Sequence, residues 1–136
     1  MSKKNLDEKV PDEVIRSLSV AKMARLLEKA GYIAQILRSE DGKPAVRFMK
    51  LGVDAMAIFF GPIDPDHYRI VVLNAVLTGV MPNDRVNAAN SRGVLPKIYV
   101  AETNTVVELC IPLEAGLTVD AVSYYIQAFE ALLNKL

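Results

Sequence analysis

The sequence predicts an α+β domain: an antiparallel sheet of about five to six strands with three helices, in the order α-β-β-β-β-α-β-β-α. Three observations carry that prediction. Apolar residues recur at three- and four-residue spacing in two stretches, 20–30 and 119–136. Runs rich in Val, Ile, Phe and Tyr alternate with Gly, Asp and Pro clusters, the punctuation of tight turns between neighbouring strands. The chain has 136 residues and is 51% hydrophobic, which suits one domain with its own core. Residues 1–10 read as a polar tail and 11–136 as that single domain.

Each element has a local reason. Pro11-Asp12-Glu13 predicts a helix start, because Pro is tolerated in the first turn and acids suit the positive end of the dipole. Ser17 or Ser19 offers a cap for a second start. Val20, Met23, Ala24, Leu27 and Ala30 then share one face, with Lys22, Arg25 and Lys29 opposite, and Gly31 ends the helix. Three strands follow at Tyr32–Arg38, Ala45–Leu51 and Ala55–Phe60. The first two are joined through Asp41-Gly42, a pair that favours a tight hairpin. The loop from Gly61 to Asp66 holds two prolines, and Tyr68–Val76 is the fourth strand. Pro82–Arg92 reads as a short helix ended by Gly93. Strands Leu95–Glu102 and Thr105–Leu113 turn at Thr103-Asn104. Thr118 caps the last helix, where Val119, Val122, Ile126, Phe129, Leu133 and Leu136 form a stripe that packs on the sheet.

Charge and composition exclude several functions. Sixteen basic and 16 acidic side chains cancel, which removes the electrostatic footprint of a nucleic-acid or anionic-membrane binder. The longest apolar run, Ile70–Met81, is shorter than the roughly 20 residues of a membrane span. The N-terminus lacks the apolar stretch of a signal peptide, so a cytoplasmic location is expected. The single cysteine, Cys110, sits in a strand-like run and reads as a buried small apolar residue. The only histidine, His67, lies in a polar loop beside Asp64 and Asp66, without the second His that would make a zinc signal specific. Single glycines at element boundaries form no phosphate cradle. Asp54 and Glu108 are carboxylates that could meet in space, but each reads as a solvated strand position. No catalytic, metal or cofactor residue is assigned.

Two features point instead to binding. Ala55–Phe60 and Tyr68–Leu77 are apolar on both faces, as in a strand covered twice. Three helices are too few to cover both faces of six strands, so a second subunit or a client would bury the remainder. Met56, Ile58, Phe60, Ile70 and Val72 are the interface candidates. The second feature is Asn87 and Asn90, three apart on the short helix. Asparagine is a poor interior helix former, so these amides are expected to bond backbone groups of a neighbouring strand, or else to recognise a ligand.

The N-x-x-N helix (Asn87, Asn90), the strand Pro96-Lys97-Ile98-Tyr99-Val100, the second strand Val106–Leu113 and the helix opened by Gly116-Leu117-Thr118 together resemble the YbjN family of bacterial sensory transduction regulators. The N-terminal helix ending in Gly31-Tyr32 is consistent with it, and the resemblance covers about residues 15–136. Such proteins often carry an acidic or Gly turn where this chain has Thr103-Asn104. The resemblance implies a fold similar to type III secretion chaperones, which commonly dimerise and hold partner segments on apolar surfaces. It brings no enzyme activity and no catalytic residues. The expected function is therefore a non-enzymatic protein-binding module, a regulator or chaperone-like adaptor that forms a homodimer and holds a protein client. The alternative is a small-molecule-binding or enzymatic domain, with a pocket between sheet and last helix furnished by Tyr124, Tyr125 and Asn90.

Overall fold

Ser19 decides where the first helix begins. Its side chain accepts a hydrogen bond from the Lys22 N–H at 3.0 Å, satisfying a first-turn donor that has no partner within the helix. The computed structural model describes residues 13–92 and 97–136. In chain order its elements are β1 (Val14–Ile15), β2 (Leu18–Ser19), α1 (Val20–Lys29), β3 (Ile33–Arg38), β4 (Pro44–Lys50), β5 (Val53–Pro62) and β6 (His67–Thr78). Then follow α2 (Asn83–Arg92), β7 (Lys97–Ala101), β8 (Asn104–Pro112), β9 (Leu117–Thr118) and α3 (Val119–Lys135).

The fold is α+β, with three helices among the described residues and an antiparallel sheet in the order β3-β4-β5-β6-β8-β7. A seventh, two-residue strand, β2, pairs with β6 at Leu18↔Tyr68, just beyond the point where β8 leaves β6 at Pro112. A second small sheet joins β1 to β9 through Val14↔Thr118 and Ile15↔Leu117.

The start of the chain departs from the sequence expectation. Pro11 and Asp12 lie outside the described residues, and Val14–Ile15 is a strand, so no helix runs on from Glu13. Two β-branched residues find a backbone partner some hundred positions later, and that distant pairing overrides the local start signal. Gly116 makes the pairing possible: it holds φ +92, and a Cβ there would lie 3.1 Å from Val14 Cγ1. Of the expected strand Leu95–Glu102, Leu95 and Pro96 lie outside the described residues, as does Gly93. The β7–β8 hairpin turns at Glu102-Thr103, one residue earlier than expected, with Glu102 at φ +57.

One face of the sheet holds the core. Val46, Phe48, Ala57, Leu73, Val107 and Leu109 are buried there against Met23 and Leu27 of α1 and Val122, Ile126 and Phe129 of α3. The α3 stripe thus packs on the sheet as its spacing predicts, capped by Thr118, which accepts from the Ala121 N–H at 3.1 Å. Aromatic contacts run through this layer. Tyr32 meets Phe48 edge-on at 5.0 Å, and Phe48 lies 6.2 Å from Phe129.

A polar cluster closes the layer beside those rings. Tyr32 Oη donates to Glu130 Oε1 at 2.7 Å, and Lys50 Nζ lies 2.8 Å from the same oxygen. The ammonium also sits 4.4 Å from the Tyr32 ring centroid and donates to the Ala30 carbonyl at 3.3 Å. Residues from the end of α1, the end of β4 and the last third of α3 are thereby tied together. The Lys50 ammonium, and then the Tyr32 hydroxyl, hold the Glu130 carboxyl below its ordinary value. Burial, and then Glu130, push the Tyr32 hydroxyl up.

Two measurements follow from this. Glu130 is depressed, so its contribution is present above the unfolded carboxyl value of ~4.3 and is lost as pH falls through the folded value. Tyr32 is raised, so its contribution is present below ~10 and is lost as pH rises through its folded value. Urea midpoints across pH will fall in the acid limb for the native chain and flatten there in Glu130→Gln, while Tyr32→Phe flattens the alkaline limb. Gly116 and Glu102, both at positive φ, give opposite signs. Gly116→Ala will lower stability by about 1–2 kcal/mol through strain and the Val14 clash. Glu102→Gly will raise it by about 0.5 kcal/mol, because the relieved left-handed strain slightly exceeds the added chain entropy. Thermal unfolding of both variants checks the pair.

Candidate interaction surface

The strand register sorts every sheet residue onto one of two faces. On β5, Ala55, Ala57 and Phe59 are buried under the helices, and Met56, Ile58 and Phe60 point the other way. On β6, Val71, Leu73 and Ala75 are buried, with Ile70, Val72 and Asn74 opposite. Alternation slips between Tyr68 and Val71, beside Gly61 at φ +67, so Tyr68 turns back to the core and meets Phe59 at 5.4 Å. Among the described residues, the buried helix positions all belong to the core side, and the second face carries no helix.

Cross-strand partners assemble this bare face in rows. Leu37, Ala45, Ile58, Val72 and Cys110 form one row across five strands. Phe60, Ile70 and Pro112 form the next. On the other side lies a mixed row of Gln35, Arg47, Met56, Asn74, Glu108 and Lys97. Beyond it come Ile33, Met49 and Asp54 on one flank and Val76, Val106 and Tyr99 on the other. Phe60 is 49%, Val76 56% and Ile33 70% exposed, and Met56, Ile58, Ile70 and Val72 are half-buried by their neighbours alone.

All five interface candidates, Met56, Ile58, Phe60, Ile70 and Val72, therefore sit on this one face. Sequence reasoning missed Ile33, Val76, Met49 and Tyr99, which border it. Their membership depends on pairing register, and the alternation within a single strand does not reveal which residues of other strands lie alongside.

Five polar groups of the face, Arg47, Asp54, Asn74, Glu108 and Tyr99, are paired within the chain. Arg47 grips Asp54 with two bonds, Nε to Oδ1 at 3.0 Å and Nη2 to Oδ2 at 2.8 Å. The guanidinium holds the Asp54 carboxyl below its usual range. Glu108 Oε2 accepts from Asn74 Nδ2 at 3.3 Å and from Tyr99 Oη at 3.1 Å. Asp54 and Glu108 thus serve different partners rather than one another.

Cys110 corrects the sequence expectation: it is exposed, not buried. Its strand places it beside Val72 on the bare face, where no helix covers it. Partial desolvation and then the charge of Glu108 push its thiol up, which works against a reactive thiolate.

The remaining candidates lie elsewhere. Asn90 bonds the backbone of Ile98 twice, donating to its carbonyl and accepting from its N–H, both at 2.8 Å. That is the backbone task expected of it, and it fastens α2 to the edge strand β7. Asn87 is exposed on the same helix. His67 Nδ1 lies 3.1 Å from Asp64 Oδ1, which also accepts the N–H groups of Asp66 and His67, as in a side-chain-closed turn. Among the described residues, no group of three His, Cys, Asp or Glu could hold a metal ion. No helix among them is long and apolar enough to cross a membrane.

Among the described residues, surface depressions lie near the far end of β6. One, of about 220 Å3, is lined by Leu77, Met81, Arg85, Thr105 and Leu136 among others. Another, of about 500 Å3, lies between Met49, Asp54, Val76 and their neighbours, at the margin of the bare face. Neither is lined by Tyr124, Tyr125 or Asn90. Comparison with protein-family models, with curated proteins and with solved structures finds no match.

Proposed function

We propose that the protein is a non-enzymatic protein-binding module that works through the bare face of its sheet. The reading extends to a cytoplasmic regulator or chaperone-like adaptor of the YbjN kind, acting as a homodimer or on a protein client. One observation carries it: a continuous apolar surface, spanning β3 to β8, that the chain's described helices leave open. Monomeric proteins rarely expose contiguous apolar patches larger than a few hundred Å2 without a partner for them. Within the surface Arg47 is bonded to Asp54, and Asn74 and Tyr99 to Glu108, which lowers the cost of burying these five groups under a partner.

The test is site-directed photo-crosslinking in the source cells. A photoreactive side chain at Phe60 or Val76 will form covalent protein adducts. The same group at Gln127, on the exposed side of α3, will form few or none. Adducts at Gln127 but not at Phe60 or Val76 would overturn the reading.

A further inference from the structure

We infer that the occupant of the bare face is a second copy of this chain, packed sheet against sheet about a two-fold axis. The inference rests on the protein-binding reading above and names its partner. Size is the first argument. Six strands at ~4.8 Å spacing and about six residues at ~3.3 Å each give a face of roughly 600 Å2 in projection. A stable dimer needs ~800 Å2 of accessible surface from each partner, and a pleated face exposes more than its projection. An extended peptide would cover one strand's width of this area. A second sheet covers all of it.

Charge is the second argument. A two-fold interface brings the same patch against itself, so a patch of one sign repels its copy. This face carries two cations, Arg47 and Lys97, and two anions, Asp54 and Glu108, and is neutral as a unit. Arg47 and Asp54 neutralise each other within the subunit. Shape is the third. Twisted sheets stack face to face at about −30° and ~10 Å apart, with apolar side chains interdigitating between them. The apolar row of Ile58 and Val72 would then lie in the centre, with the helices of both copies outermost.

Sedimentation equilibrium of the full chain in the low micromolar range tests this. The native chain will be a dimer. Val72→Asp, central on the face, will weaken association by about 100-fold, because two carboxylates per dimer enter the apolar centre unpaired. Val76→Arg keeps the test valid should Val72→Asp fail to fold: Val76 is 56% exposed, so its fold does not depend on that side chain, and association will still weaken at least tenfold. Gln127→Arg on the outer side of α3 will leave the dimer unchanged. A monomeric native chain would overturn the inference, and so would a dimer indifferent to both face variants. In either case the broader binding reading stands or falls separately, on whether the crosslinks join another protein.

Discussion

The described helices of this protein lie on one side of its sheet, and that placement decides which strand residues become core. Burial alternates along β5 and β6 because one face lies under α1 and α3 and the other under nothing from the described chain. A strand that feeds one core usually alternates apolar with polar residues. Here the second face stays largely apolar, with Met56, Ile58, Phe60, Ile70 and Val72 where a solvated sheet would carry polar side chains. That composition is the observation from which the proposed partner is argued. The core side, by contrast, is closed by packing and by the Tyr32–Lys50–Glu130 cluster, which binds α3 to the start and middle of the chain.

The polar residues of the bare face follow the same logic. A charged group is costly to cover unless its partners come with it. Arg47 and Asp54 form a two-point pair, and Glu108 draws hydrogen bonds from Asn74 and Tyr99. None of these carboxylates faces another at the spacing of an acid–base pair. Burial, and then Glu108, raise the Tyr99 hydroxyl, and the Cys110 thiol is raised as well, so neither is poised to ionise near neutrality. The polar pairs of the face are thus compatible with the proposed covering by a partner.

Much of this was legible in the sequence, and the failures have physical causes. The α3 stripe, both helix caps and the two-sided character of β5 and β6 are local properties, written in residues three, four or two positions apart. The two-residue strands β1 and β2 are not local: each exists because a partner about fifty or a hundred positions away supplies its backbone bonds. The same holds for Cys110. Its run alternates as a strand should, but which side of that strand is covered depends on where the helices land. The rows of the bare face, and so the membership of Ile33 and Val76, follow from register, which turns and long-range pairing set together. The turn at Glu102-Thr103 carries no glycine signal, since its left-handed position holds Glu rather than the Gly that usually marks it.

Among the described residues, one sheet face is covered by the chain's own helices and the other is not. Methyl relaxation by a soluble paramagnetic agent measures that face by face, in a dilute Val72→Asp sample, the variant chosen to separate the proposed pair of copies. The Ile70, Val76 and Ile33 methyls will relax strongly, and those of Val71, Leu73 and Leu109 on the same or adjoining strands will be protected. Equal protection on both faces would contradict it, because the second face would then be covered from within the chain.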